Sequence, residues 1–265
     1  MKRISVLMGI YNCEGTLAEA LDSLYAQTYK DFKIILCDDG STDDTLKIAQ
    51  SYADQYDNIV LIRNDKNRGL NYTLNHCLEY ADTEFIARMD GDDISKPERF
   101  AIQSQFLDEH PEYGVVSTPG TYFDENGIFR INKGHGEVKP TDFVRSSPIG
   151  HAECMARTEV FKNVGGYSVS DNLLRVEDYH LWFKIYAAGY KLYQMPESLY
   201  LVRSSAASIA RRNWKNRRNE MYVKYVGYKM IDLPWHYNIY ILEPLLKYLL
   251  PLFIYRYLHR NRNKK

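Results

Sequence analysis

Apolar runs of strand length alternate with helical spacings along the first 110 residues. Ile4 to Ile10 is a buried-strand run that breaks at Tyr11-Asn12. Thr16 then offers a cap to a helix with apolar positions Leu17, Leu21, Leu24 and Tyr25. Phe32 to Cys37 predicts a second strand, ending in Asp38-Asp39-Gly40-Ser41-Thr42. The Ser41/Thr42 pair is expected to cap a helix reaching about Tyr56. Ile59 to Ile62 predicts a third strand. The polar loop Asn64 to Gly69 leads to a helix over Leu70 to Tyr80, and Glu84 to Met89 predicts a fourth strand. Pro97 suits the first turn of a helix through about His110. Strand and helix alternating four times predict an α/β fold: a mostly parallel sheet flanked by helices.

After residue 110 the pattern changes. Gly114 to Ser117 reads as a strand, and Glu125-Asn126-Gly127 is a turn signal between two short hairpin arms. His151 to Arg157 reads as another strand. Thr158 to Val164 reads as a short helix ending at Gly165-Gly166. Val176-Glu177-Asp178 opens a helix with Leu181, Trp182, Ile185 and Tyr186 on one face, closed by Gly189. Leu199 to Val202 reads as the last strand. From Ser205 the chain becomes basic and helical.

Net charge is zero over 265 residues, yet its distribution is uneven. Residues 1–205 carry 21 Lys and Arg against 31 Asp and Glu, while residues 206–265 carry 13 against 3. Two units follow: a body at 1–205 and a basic, apolar helical extension at 206–265. In the extension, Arg211 to Arg218 is a concentrated positive run, and Ile239 to Leu258 is strongly apolar. That stretch is interrupted by Glu243, Pro244, Lys247, Pro251 and Arg256, too often for a clean transmembrane span. A helix lying in an anionic membrane interface fits it, as does a helical flap packed on the body. Cys13, Cys37, Cys77 and Cys154 show no ligand spacing, so neither a zinc site nor a disulfide framework is expected. Scattered thiols and the lack of a signal-peptide pattern point to a cytoplasmic protein, peripheral at the inner face of the membrane.

Every polar cluster in the first half falls at the carboxyl end of a predicted strand, where sheets of this class bind ligands. The densest is Asp90-Gly91-Asp92-Asp93. Three carboxylates packed at a strand end repel one another, and a hard divalent cation, Mn²⁺ or Mg²⁺, is the usual remedy. No Gly-x-Gly-x-x-Gly or Gly-x-x-x-x-Gly-Lys-Ser/Thr motif occurs, which disfavours dinucleotide and P-loop sites.

These motifs, in their order, resemble the family 2 glycosyltransferases of GT-A fold. The matches are Ser5 to Asn12, Gln27-Thr28-Tyr29, Cys37 to Asp43, Asn67-Arg68-Gly69-Leu70 with Leu74-Asn75, Ala87 to Asp93, Gly165-Gly166-Tyr167 and Glu177 to Trp182. Within the family, the chain looks most like the bacterial transferases that build exopolysaccharide, capsule or lipopolysaccharide on a lipid carrier. The resemblance implies an inverting, metal-dependent transfer of a sugar from a nucleotide-sugar, with UDP favoured, to a hydroxyl of a lipid-linked or saccharide acceptor. No nucleic acid is expected as partner. It implies donor-binding roles for Tyr11 (base stacking), Asp38, Asp39 (base N–H), Arg68 and Asp90. Asp92 and Asp93 become metal ligands and Asp178 the catalytic base, with His151 and Glu177 on the acceptor side. One departure stands out: relatives often carry a metal-binding histidine in an Arg-x-His-x-x-Ser stretch, where this chain has Ser205. A GT-A domain of weak turnover that binds a partner is the alternative. A sugar nucleotidyltransferase is disfavoured, because no glycine-rich phosphate segment follows the first strand.

Overall fold

The computed structural model describes residues 2–204 and 213–249. Four strands, β1 (Ile4–Ile10), β2 (Phe32–Asp38), β3 (Ile59–Arg63) and β4 (Phe85–Arg88), run parallel. Helices α1 (Leu17–Tyr25), α2 (Thr45–Gln55) and α3 (Leu70–Glu79) connect them. Alternate residues of β1 serve opposite faces of the sheet. Ile4, Val6, Met8 and Ile10 join one apolar cluster and Leu7 the other. Burial on both faces is why these strands read as continuous apolar runs.

The chain then forms β5 (Ile94–Ser95), α4 (Arg99–Glu109), β6 (Tyr113–Ser117), β7 (Gly120–Asp124), β8 (Gly127–Ile131) and β9 (Gly136–Glu137). Next come β10 (Met155–Arg157), α5 (Thr158–Asn163), α6 (Glu177–Ala187), β11 (Lys191–Gln194) and β12 (Tyr200–Arg203). The large sheet has the order β3-β2-β1-β4-β10-β6-β11-β9, and a smaller one has the order β5-β12-β7-β8. This is a GT-A architecture, a mixed α/β sheet flanked by helices.

Several details differ from the expectations. The strand expected over His151 to Arg157 shrinks to β10 and runs antiparallel to β4 and β6. The short strands β5, β9 and β11 carry too few residues to leave a pattern of their own. Ser41 and Thr42 do not cap α2. Instead the Ser41 hydroxyl accepts from Asn12 N at 3.1 Å, and Thr42 N donates to Asn12 Oδ1 at 2.9 Å. They tie the end of β2 to the end of β1. Thr16 likewise sends its hydroxyl 2.9 Å to the Gly91 carbonyl rather than into α1. Helix α4 begins at Arg99, so Pro97 precedes it rather than opening its first turn.

Arg99 is fully enclosed. Its guanidinium donates to the carbonyls of Arg88, Ala152 and Cys154 at 2.9, 3.2 and 3.0 Å, fastening α4 behind β4 and the segment entering β10. Of the extension, the described part forms α7 (Trp214–Met230), a 3-10 stretch (Trp235–Leu242) and α8 (Glu243–Leu249). Helix α7 packs on α6, with Val223 and Tyr228 in the same core as Phe183. Gly227 lies so close to Phe183 that a Cβ there would stand 2.2 Å from the ring. Asn219 Nδ2 donates to the carbonyls of Asp171 and Leu174 at 3.0 and 3.1 Å. Beyond α7, Trp235, Ile239, Leu242, Leu246 and Leu249 are exposed. No helix among the described residues is long and apolar enough to cross a membrane. Ser205, Arg211, Arg212 and the segment 250–265 lie outside the described residues.

Candidate active site

The loop after β4 brings Asp90, Asp92 and Asp93 together, with one carboxylate oxygen from each within 4.8 Å of the others. Four residues hold this loop. Thr16 reaches Gly91 from the start of α1. Buried Arg88 pairs with the Asp90 carboxylate. Asp90 N donates to the Tyr200 hydroxyl at 3.1 Å. In β12, Arg203 N donates to Asp93 Oδ1 at 2.8 Å, and Arg203 Nε donates to the Asp92 carbonyl at 2.9 Å. Burial, then the charges of Asp90 and Asp92, push the Asp93 carboxyl up to about 8. A divalent cation in this all-oxygen cluster would reverse that pressure, so the residues fit Mn²⁺ or Mg²⁺.

The loop shares a cleft of about 750 Å³ with the start of α6. Asp90, Asp93, His151 and Asp178 all line this cleft. Asp92, exposed, is not part of its wall. Asp178, rather than its neighbour Glu177, faces the space. Burial, then the charge of Glu177, push Asp178 up to about 7. Burial also raises Glu177. His151 Nε2 lies 2.7 Å from the Tyr167 hydroxyl. Burial and the charge of Arg88 push the ring down to about 3, so it is neutral.

Tyr11, Asp38, Asp39 and Arg68 lie outside this cleft, on the adjoining ends of β1 and β2 and the loop before α3. Tyr11 is 46% exposed, with its ring open to solvent. Asp39 gathers the turn: Asn64 Nδ2 and Arg68 N donate to its Oδ1 at 2.7 and 2.8 Å, and Gly69 N to its Oδ2 at 2.9 Å. Gly40, at φ +74°, allows the loop at Lys66 to close on it, since a Cβ there would stand 2.8 Å from the Lys66 carbonyl carbon. The expectation that Asp38 contacts the donor does not suit its position. Its side chain has no exposed surface, and its carboxylate takes Ser41 N at 3.2 Å and Arg63 Nε at 3.2 Å. It shapes the turn that presents Asp39. Arg68 stacks over the Tyr72 ring at 4.3 Å and remains partly exposed.

Sequence reasoning passed over Glu153, Tyr122 and Gly150 in the cleft wall. One signal was available: Glu153 is an acid inside the run His151 to Arg157, which otherwise reads as buried.

Residues 5–166 match the sequence profile described as Glycosyl transferase family 2. The putative glycosyltransferase EpsE of Bacillus subtilis is 38% identical over 261 residues, which are 98% of this chain and 94% of that one. The amylovoran biosynthesis glycosyltransferase AmsE of Erwinia amylovora is 32% identical over 225 residues, 82% of each chain. Among solved structures, S. aureus TarS 1-349 in complex with UDP superposes with a TM-score of 0.71 at 21% identity, covering 97% of this chain and 78% of that one. At that identity the likeness concerns the fold.

Proposed function

The chain belongs to glycosyl transferase family 2, and from that premise we propose that it is an inverting, metal-dependent enzyme of bacterial surface polysaccharide synthesis. It moves a sugar from a UDP-sugar to a hydroxyl of a lipid-linked or saccharide acceptor. The observation that carries this reading is the one cleft that Asp90, Asp93 and Asp178 line together.

Asp178 takes the proton of the acceptor hydroxyl as its oxygen attacks the anomeric carbon. A carboxyl held at about 7 can accept a proton near neutral pH and still leave a workable driving force. One base suffices, because no covalent sugar–enzyme species forms. Asp92 and Asp93, with Asp90 toward the ribose, would hold the cation. When bound, it neutralises the charge that develops on the diphosphate leaving group. Tyr11 offers its ring to the base. Asp39 has three donors on a carboxylate with about four acceptor sites. That leaves room for the N3–H of uracil. Arg68 stands at the phosphate side. His151 and Glu177 border the acceptor side, His151 as a neutral ring.

Residues 1–205 form the catalytic unit, and the extension at 206–265 serves attachment to the cytoplasmic face of the membrane. Support comes from the basic excess of the extension and from Trp235, Ile239, Leu242, Leu246 and Leu249, exposed on its described part. The name of AmsE supports a polysaccharide product.

The test is a panel of nucleotide sugars with Mn²⁺ or Mg²⁺, following release of the nucleoside diphosphate. Metal-dependent release from one or a few UDP-sugars is expected. No release from any nucleotide sugar with either metal would refute the reading.

A further inference from the structure

Glu153 is only 6% exposed, yet its side chain lines the cleft shared by Asp90, Asp93 and Asp178. Its backbone is fixed from behind. Gln103 Nε2 of α4 donates to the Glu153 carbonyl at 2.8 Å, and Arg99 holds the carbonyls on either side of it. The carboxyl group lies in a slot between two glycines. A Cβ on Gly150 would stand 2.3 Å from Glu153 Oε2 and 2.7 Å from Oε1, and one on Gly120 would stand 2.9 Å from Oε1. Gly120 opens β7, which pairs with β12 at Tyr200, close to the acidic loop.

Among the described residues, no other side chain donates a hydrogen bond to this carboxyl group. Its own backbone N–H is the one protein donor it has, and a buried carboxyl so thinly partnered is unfavourable, so such a group calls for a reason. Here the reason lies in the space it faces. The slot keeps Glu153 beside the loop where, on the reading above, the diphosphate of the donor sits. The sugar attached to that diphosphate is then the group within reach, and its hydroxyls can both donate to and accept from a carboxyl.

We propose that Glu153 is a specificity-determining residue that hydrogen-bonds hydroxyl groups of the donor sugar, and that Gly120 and Gly150 exist to seat it. Burial pushes its carboxyl up to about 7, so near neutrality it both offers and accepts hydrogen bonds. The proposal rests on the enzyme using a nucleotide sugar.

The experiment measures binding of UDP, UDP-glucose, UDP-galactose and UDP-N-acetylglucosamine by calorimetry with Mn²⁺, for the full chain and for Glu153→Gln, Glu153→Ala and Gly150→Ala. UDP affinity is expected to stay within about twofold throughout, which also shows that the variants are folded. The UDP-sugar preferred by the natural protein is expected to bind about 10- to 100-fold more weakly to Glu153→Ala and Gly150→Ala. It recovers in part in Glu153→Gln, and the ranking among the sugars flattens. Two results overturn the proposal alone: unchanged ranking and affinity in all variants, or equal loss of UDP and UDP-sugar, which marks a structural role. A natural protein that binds no UDP-sugar overturns the functional reading, and this proposal falls with it.

Discussion

Replacing Asp178 by Asn is expected to stabilise the protein while silencing it. Burial and the neighbouring Glu177 raise the Asp178 carboxyl from an ordinary 3.8 to about 7. Well below pH 3.8 the group is protonated in both the folded and unfolded chain. As pH rises toward 7, the unfolded chain releases the proton and the folded chain retains it, so this group favours unfolding more and more. Its stabilising contribution is complete below the unfolded value and gone above about 7. About three pH units at 1.36 kcal/mol each put the effect near 4 kcal/mol at pH 8, as an upper bound. Asn keeps the shape and the acceptor oxygen without the charge. Denaturant unfolding should therefore show Asp178→Asn more stable than the natural protein by about 2–4 kcal/mol at pH 8, with the gap closing toward pH 4. In the same variant UDP binding persists, and transfer falls by about 10²–10⁴. A gap that is absent at pH 8, or equally large at pH 4 and 8, would refute the account of this carboxyl. Transfer at the natural rate would refute its role as base.

Further tests address other parts of the molecule. In the natural protein, the transfer rate should fall about tenfold per pH unit below 7, as Asp178 takes up its proton; a flat profile down to pH 5 contradicts that. Asp92→Ala should abolish metal-dependent release of nucleoside diphosphate and weaken UDP binding in Mn²⁺, whereas equal rates with and without the substitution would remove Asp92 from the metal site. Trp235→Glu with Leu246→Glu should reduce flotation with anionic vesicles and leave nucleotide-sugar hydrolysis intact; unchanged flotation would mean that this face meets something else. Gly227→Ala, forced against Phe183, should lower stability by about 1–3 kcal/mol, read as a shift in denaturant midpoint.

Much of the fold is legible in local pattern. Strands β1 to β4 are buried on both faces, so their apolar runs are unbroken, and each ends in polar residues that the parallel order brings to one edge. The acidic loop is visible for the same reason: three aspartates in four positions cannot be mistaken for a core. What stays hidden depends on partners distant in sequence. The reversal of β10 rests on three residues pairing with β4 and β6. Helix α7 conceals its inner face, because Asn219, Lys224 and Gly227 occupy buried positions where an apolar stripe is sought. Asp38 and Asp39 are adjacent and chemically alike, yet one is closed in by Ser41 and Arg63 and the other holds the loop at Gly69. Glu153 needed Gly120 and Gly150, which lie 33 and 3 residues away and mean nothing until they are seen flanking it.

The slot around Glu153 also sets an order on what mutation can do to this chain. A smaller residue at position 153 leaves the space beside Gly150 vacant, and from then on that glycine is free to acquire a side chain, whereas Gly120 is still closed in by Val202. Once Gly150 has, a glutamate returning to position 153 meets an atom where its carboxylate must lie. Loss takes one step and recovery takes two in the right sequence, so positions 150 and 153 form a ratchet. A chain that has passed through it can carry a new side chain at 150 but cannot easily go back.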